Sequence, residues 1–488
     1  MIGDNKTLAI SFSCQGESHK ATNKVCQDYS LASSTDSFSI AIVCDGHGGD
    51  RYFRSDVGAK YAAEVTLDSI SQFVANVDES LFEYRPFIAI GPTNAIDDTQ
   101  QLSDIDKVFR RLFSSIISKW NERIEEHAKT NSLSDWEKEN VPQKYLDEFV
   151  SASSLEKHYG CTLMAYVQTT KYWFAFHLGD GKCISFQKEP IWKEPIPWDE
   201  NCFLNKTTSL CDSSAIDEFR YCYEGNGHFP IAVFLGSDGL DDSFGESDNL
   251  ANFYIQILKM LAKDGVETTE KSLEETLPEL SRIGSKDDMS VACVFNLKEV
   301  KDNVHLFLEY QLDLVKEKLS AIEKRLEALT IKRDSFIEQL DKKSQIEYKY
   351  ALQDIEKAQL EREELVRKYD KLATELSVTT ISTDNKNDEI NEDEHAIKDA
   401  DNAESSKQIN DDISVDADEK QDKVKKKTIS IVALAVFLLL LITILVKKSN
   451  ILKNRTCNTF ETEQIIGDSL NVDKDSTAVF QGSKGERN

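Results

Sequence analysis

Three features of the sequence predict a mixed α and β globular region followed by a long helical segment and one membrane-spanning helix. Short apolar runs alternate with helix-length polar stretches as far as residue 300. Residues 304–376 contain neither glycine nor proline and repeat their apolar residues every seven positions. Residues 429–446 carry no charge at all. A chain of 488 residues is too long for one ordinary core, so several units are expected. The net charge of -28 argues against broad nucleic-acid binding. The ten cysteines form no CxxC pair and show no Cys/His zinc spacing; scattered singly in apolar runs, they read as reduced core residues.

Within the globular region, runs rich in branched and aromatic residues predict strands at Leu8–Cys14, Phe38–Cys44, Thr162–Val167, Tyr172–Leu178, Cys183–Gln187, Ile231–Leu235 and Met289–Phe295. Helical stretches are expected at Asp50–Phe73 and Ile105–Lys129.

Beyond it, Leu312, Val315, Leu319, Ile322, Leu326, Leu329, Phe336 and Leu340 fit alternating a and d positions, with Arg333 as a polar intruder. A second register, Ile355, Ala358, Leu365, Tyr369, Leu372 and Leu376, is offset by one residue, with the slip between Lys342 and Tyr350. Residues 304–376 therefore form either a coiled coil with a skip, which would pair two chains as a homodimer, or a helical hairpin; the coiled coil is slightly favoured. Residues 377–427 are acidic and poor in aromatics, a composition that predicts a disordered linker. The span at 428–446 has lysines at both ends, and the 18 apolar or hydroxyl residues of 429–446 would reach about 27 Å, against roughly 30 Å of hydrocarbon. No charged leader precedes an apolar segment at Met1–Cys14, so the large amino-terminal domain is expected in the cytoplasm and the short polar tail, 447–488, across the membrane.

The strand ends carry the chemistry. "AIVCDGHGG" stops an apolar strand at Asp45 and follows it with Gly46 and His47. "IAVFLGSDGLDD" repeats the pattern at Asp238, and "WFAFHLGDGK" repeats it at Asp180. "GSKDDMSVACVF" reverses it, placing Asp287 just before a strand, and "NKVCQDYS" sets Asp28 in a loop. Any one Asp-Gly is usually only a solvated turn. Five carboxylates beside small residues, without His or Cys ligand spacing, suit hard divalent cations such as Mg²⁺ or Mn²⁺. Two such ions can clamp a phosphoryl group during in-line attack.

As an ordered set, "CQD" (Cys26–Asp28), "DGHGG" (Asp45–Gly49), "GCT" (Gly160–Thr162), "GDG" (Gly179–Gly181), "SDGL" (Ser237–Leu240) and "DDMS" (Asp287–Ser290) resemble the metal-dependent PPM, or type 2C, serine/threonine protein phosphatases, in a divergent branch whose first motif ends in "CQD". The resemblance covers residues 1–300. It implies an α+β fold of two antiparallel sheets packed face to face with flanking helices, an αββα sandwich, with a two-metal site at one end. It implies that Asp45 bridges both ions, that the Gly46 carbonyl ligates one, and that Asp238 and Asp287 hold the other. Asp28 would act partly through water, and Asp180 matches a position that helps bind a third ion in some members. His47 matches the family's general acid. The expected activity is hydrolysis of phosphoprotein monoesters, with a metal-bridging water as nucleophile.

Two departures stand out. The arginine that often precedes the first aspartate by five residues in this family is Asn23 here, leaving His19, Lys20 and Lys24 as candidates to bind the phosphate. An extra polar helical stretch runs from Asp98 to Ser154, and Pro190–Glu224 occupies the place of the family's flap, where Trp192, Trp198 and Phe203 either touch substrate or pack the core. The alternatives to a membrane-anchored phosphoprotein phosphatase are an inactive membrane-anchored scaffold or sensor, and a phosphatase acting on a non-protein phosphoester.

Overall fold

The computed structural model describes residues 6–92, 103–202, 206–337 and 341–396, with side chains as far as Thr379. The expected membrane span, the tail, Phe203, Leu340 and the linker beyond Ala396 lie outside the described residues. Among the described residues no helix is long and apolar enough to cross a membrane.

Eleven strands are described: β1 (Thr7–Cys14), β2 (Tyr29–Ser34), β3 (Phe38–Cys44), β4 (Ile88–Ile90), β5 (Leu163–Thr169), β6 (Trp173–Leu178), β7 (Lys182–Phe186), β8 (Trp192–Lys193), β9 (Arg220–Glu224), β10 (Ala232–Gly236) and β11 (Met289–Asn296). They form two antiparallel sheets, one in the order β1-β11-β10-β7-β8 and the other β2-β3-β5-β6-β9-β4. All seven strands expected from the apolar runs are present, within two residues at each end.

β3 shows why these strands read as continuous apolar runs. All of its residues are buried because both faces are covered. Ala41 and Val43 point inward to Met164, Val233, Leu235 and Ala292, joining the two sheets. Ile40, Ile42 and Cys44 point the other way, into a core shared with the helices outside.

The helices outside the two sheets are α1 (Glu17–Ala21), α2 (Ser55–Asn76), α3 (Asp104–Thr130), α4 (Asp135–Asn140), α5 (Gln143–Val150), α6 (Ala215–Glu218), α7 (Asp238–Phe244), α8 (Ser247–Asp264), α9 (Val266–Ile283) and α10 (Leu297–Asp302). A capping box of Ser103 and Asp106 starts α3. The helix then buries Ile105, Phe109, Leu112, Phe113, Ile116, Trp120 and Ile124 along one stripe. The polar stretch 98–154 is thus no appendage: α3 forms part of the outer layer over the six-stranded sheet.

Two long helices follow, α11 (Val304–Ser335) and α12 (Lys342–Ala396). They fold back on each other, so the heptad residues form an intramolecular hairpin rather than the favoured single coiled coil. Leu308, Leu312 and Val315 pack on Leu372, flanked by Leu365, Tyr369 and Leu376. Arg325 pairs with Glu361 and Arg362 with Glu323, which fixes the antiparallel sense. The turn falls just before the expected slip, where the Asp341 carboxylate caps α12 by accepting from the backbone of Lys343 and Ser344. The seam is filled by the chain's own residues. α12 also continues through Ser377 to Ala396, where composition alone predicts a linker.

The hairpin rests on the globular body. Gln311 bonds Asn252 of α8 at 3.1 Å, and Lys259 pairs with Glu375 at 2.9 Å. Trp192 of β8 donates to Tyr310 of α11 at 2.7 Å, so this flap aromatic packs against the stalk. Trp198 remains 52% exposed.

Candidate active site

β3 ends at Asp45 because the next turn is held by another strand's entry. Thr162, just before β5, donates its backbone N–H to the Asp45 carbonyl, and its hydroxyl accepts from the Asp45 N–H at 2.9 Å. Gly46 bridges to Cys161. A Cβ at Gly46 would stand 2.5 Å from the Gln27 carbonyl oxygen and 2.9 Å from that of Ser55, so only glycine lets the chain pass here.

The carboxylates expected to form the site converge on Asp238. The carboxyls of Asp45 and Asp238 hydrogen-bond to each other, and Asp45 is pushed well up by burial and then by Asp238 and Asp28. Asp28 is raised by burial, Asp288 and Asp238, even though the Ser237 and Ser290 hydroxyls favour its charged form. Asp180 rises to about 6 through burial and Asp238. Asp287 is raised too, by burial with a contribution from Asp238. Asp238 disfavours the negative charge of each of the other four, and one oxygen of Asp28 is buried without a partner.

Such an arrangement is stable only if protons or cations supply the missing positive charge. The donor set is all oxygen, which fits Mg²⁺ or Mn²⁺.

Asp288 plays a different part. It accepts from the backbone N–H groups of Gly16 and Gln27, and its Oδ2 pairs with His19 Nδ1 at 2.9 Å. Burial works against its charge, but these donors hold it below the usual carboxylate range. His19, Asp287 and Asp288 place ligand atoms within 4.8 Å of one another. With Asp288 already held by three donors, Asp287 is the member of that group that turns to the site. His19 is therefore committed to Asp288. Lys20 lies 3.8 Å from Glu17 on the surface, whereas Lys24 reaches the acidic loop and donates to the Gly48 carbonyl at 3.1 Å.

His47 follows Gly46 with its backbone held on both sides. Its N–H donates to the Gly160 carbonyl at 3.1 Å, and its own carbonyl accepts from Gln27 Nε2 at 3.1 Å and Ser55 Oγ at 2.9 Å. The ring meets Tyr52 edge-on at 4.8 Å. A Cβ on Gly160 would stand 2.8 Å from that ring and 2.8 Å from Cys211 Sγ, which accounts for the glycine of "GCT". Burial lowers His47 to about 4, leaving a neutral imidazole at neutral pH.

A family model described as protein phosphatase 2C matches residues 15–278, more than half of the chain. The chain belongs to the protein phosphatase 2C family. No curated protein sequence matches it. Among solved structures it is similar to a bacterial serine phosphatase, at 15% identity over 59% of this chain and 96% of that one, with a TM-score of 0.34. It is also similar to the catalytic domain of the serine/threonine protein phosphatase PstP, in complex with two manganese ions (14% identity, 59% and 98% covered, TM-score 0.33). A C. elegans sex determining protein is similar over 61% of this chain and 67% of its own, at 16% identity and a TM-score of 0.34.

In this phosphatase 2C chain, sequence reasoning identified the acids but missed their supports. Thr162, Gln27, Ser55, Ser237, Ser290 and Asp288 bond to the site residues or to the loops that carry them. Five of these six, all but Ser55, sit inside the quoted motifs, so the signal was present as their polar neighbours. Arg220 had no such signal. It is fully buried, donates to the Gly179 carbonyl beside Asp180 and to the Pro197 carbonyl, and faces Asp199 at 3.7 Å. Arg220 thereby ties the "GDG" turn to the flap.

Proposed function

We propose that this chain is a divalent-metal-dependent serine/threonine phosphoprotein phosphatase, anchored in a membrane by residues 428–446 with its phosphatase domain at the cytoplasmic face. The observation that carries the reading is the Asp45–Asp238 carboxyl pair, with Asp28, Asp180 and Asp287 gathered around Asp238. The Asp45 carboxylate and Gly46 carbonyl, with Asp238 and Asp287, would hold two Mg²⁺ or Mn²⁺ ions; Asp28 would contribute partly through water, and Asp180 would serve a third. When bound, the ions supply Lewis acidity toward the phosphate and acidify the attacking water.

The chain's own groups complete the hydrolysis. Water adds to phosphorus, the bond to the serine or threonine oxygen breaks, and that oxygen leaves as an alcohol after taking one proton. His47, beside Asp45, would deliver it from the protonated fraction that its lowered pKa leaves. Lys24, at the Gly48 carbonyl, is the best placed of the three candidate cations to meet the phosphate where the family's arginine is absent.

The test uses the full chain in detergent, assayed on a phosphothreonine peptide with Mn²⁺, with Mg²⁺ and with chelator, beside Asp238→Asn. Phosphate release that needs both the metal and Asp238 is expected. Absent release from a folded protein, or release indifferent to chelator, overturns the reading and favours the scaffold.

A further inference from the structure

The strongest buried ion pair near the site touches none of the metal-binding acids. Arg54 lies just before α2, next to Ser55, and its guanidinium is almost wholly enclosed. Arg54 Nε donates to Glu137 Oε1 of α4 at 2.7 Å, and one Nη donates to Oε2 at 3.1 Å. The remaining donors reach the carbonyls of Asn131 and Ser132 and the hydroxyl of Tyr159. The Phe149 ring covers the guanidinium at 4.4 Å. Apart from Tyr159, these partners all lie in the inserted stretch between Asp98 and Ser154.

The two residues this network grips are next to two of the three groups that hold His47. Ser55 follows Arg54 and bonds the His47 carbonyl; Gly160 follows Tyr159 and accepts the His47 N–H. The Arg54 backbone N–H also donates to the His158 carbonyl at 3.0 Å, closing the loop between the two segments. Tyr159 is locked from its other side by His127 of α3 at 2.9 Å.

We infer that Arg54 and Glu137 are positioning residues for His47: through Ser55 and Gly160, the inserted helix α4 sets where the proton-donating imidazole stands. The inference rests on the phosphatase reading and on His47 as proton donor. Glu137 itself touches no substrate. A stretch that reads from its sequence as an optional insertion is then part of the catalytic geometry, and a ligand that moved α4 would tune turnover without approaching the cleft.

The consequence is specific to the leaving group. A serine or threonine alkoxide must be protonated as it departs, whereas p-nitrophenolate leaves without a proton. Displacing His47 should therefore slow the first substrate and spare the second. We would measure the full chain and its Glu137→Gln variant, which keeps the side chain's volume, on a phosphothreonine peptide and on p-nitrophenyl phosphate, well below the variant's unfolding midpoint. The expected result is a fall of about tenfold or more in kcat on the peptide, with KM unchanged and p-nitrophenyl phosphate turnover kept within about twofold. Equal losses on both substrates would show that Glu137 only supports the fold, and no loss on either would show that His47 does not depend on it; each overturns the inference. A wild-type chain inactive on both substrates would sink the phosphatase reading itself, and this inference with it. Should Glu137→Gln fold poorly, Tyr159→Phe removes the hydroxyl's bonds to Arg54 and His127 and is read the same way.

Discussion

Charge is arranged in opposite ways at the carboxylate end of the two-sheet body and along the α11–α12 hairpin. Around Asp238, acids of one sign are gathered at the cleft, Asp28 buried and the others half-buried or exposed, and Asp238 raises each of the other four. On the hairpin, opposite charges alternate in the open, as in Arg325–Glu361 and Arg362–Glu323, over a thin seam of leucines. The first arrangement costs stability and makes sense only as a place for cations; the second costs almost nothing and mainly keeps the helices soluble and in register. Crowding of like charge is what separates a functional carboxylate from a solvating one in this chain.

The largest effect should come from Asp45. Asp45→Asn is expected to lower phosphate release by at least about 10²-fold, as loss of a preorganised electrostatic group does. In the metal-free protein the same change, by removing like-charge repulsion, should raise the unfolding midpoint, and added Mn²⁺ should raise the wild-type midpoint more than the variant's. A scanning calorimeter reads both; a variant that is no more stable without metal would break the contrast.

Next comes the buried pair of unlike charges. Arg54→Ala leaves Glu137 unpaired and is expected to cost about 3–5 kcal/mol by denaturant titration. Burial opposes the charge of Glu137, but Arg54 and the Ser134 N–H hold its carboxyl below the ordinary glutamate range. Its contribution is therefore present above the unfolded-state value and is lost as the pH falls through the lower folded one. The stability difference between wild type and Glu137→Gln should shrink on acidification through that window.

In the hairpin, Leu308→Ala should cost about 2–5 kcal/mol, because Leu308 is fully buried in the seam, and should lower the helical content that melts with it. The smallest effect belongs to the exposed pair: Glu361→Ala should change stability by less than about 1 kcal/mol and less still at high salt. A cost as large as that of Arg54→Ala would erase the distinction between the two regions.

Legibility followed the same division. β3 could be read because both its faces are apolar, and α3 because its buried residues recur on one stripe. β2 and β9 escaped notice for opposite reasons. β2 is an edge strand of small, half-exposed residues with no apolar signature. β9 is buried throughout yet begins with Arg220 and ends with Glu224, charges that look like surface until Arg220 is seen between the Gly179 and Pro197 carbonyls. In the site, Asp28, Asp45, Asp180, Asp238 and Asp287 stood out because each sits at a strand edge beside a small or polar turn. His19 did not disclose that it serves Asp288, since that contact spans more than 250 residues of chain.

The sequence by itself determined the family, the strands with two buried faces and the acids at their ends, because apolar runs and strand-edge turns are local patterns that survive without coordinates. Only the tertiary structure decided that the heptads fold back on themselves, that Asp238 is the shared neighbour of the other acids, and that Arg54 and Glu137 bind an insertion to the loop of His47. Those facts depend on which distant segments share one buried space, where the unfavourable removal of charge from water is offset by a partner that no stretch of sequence reveals.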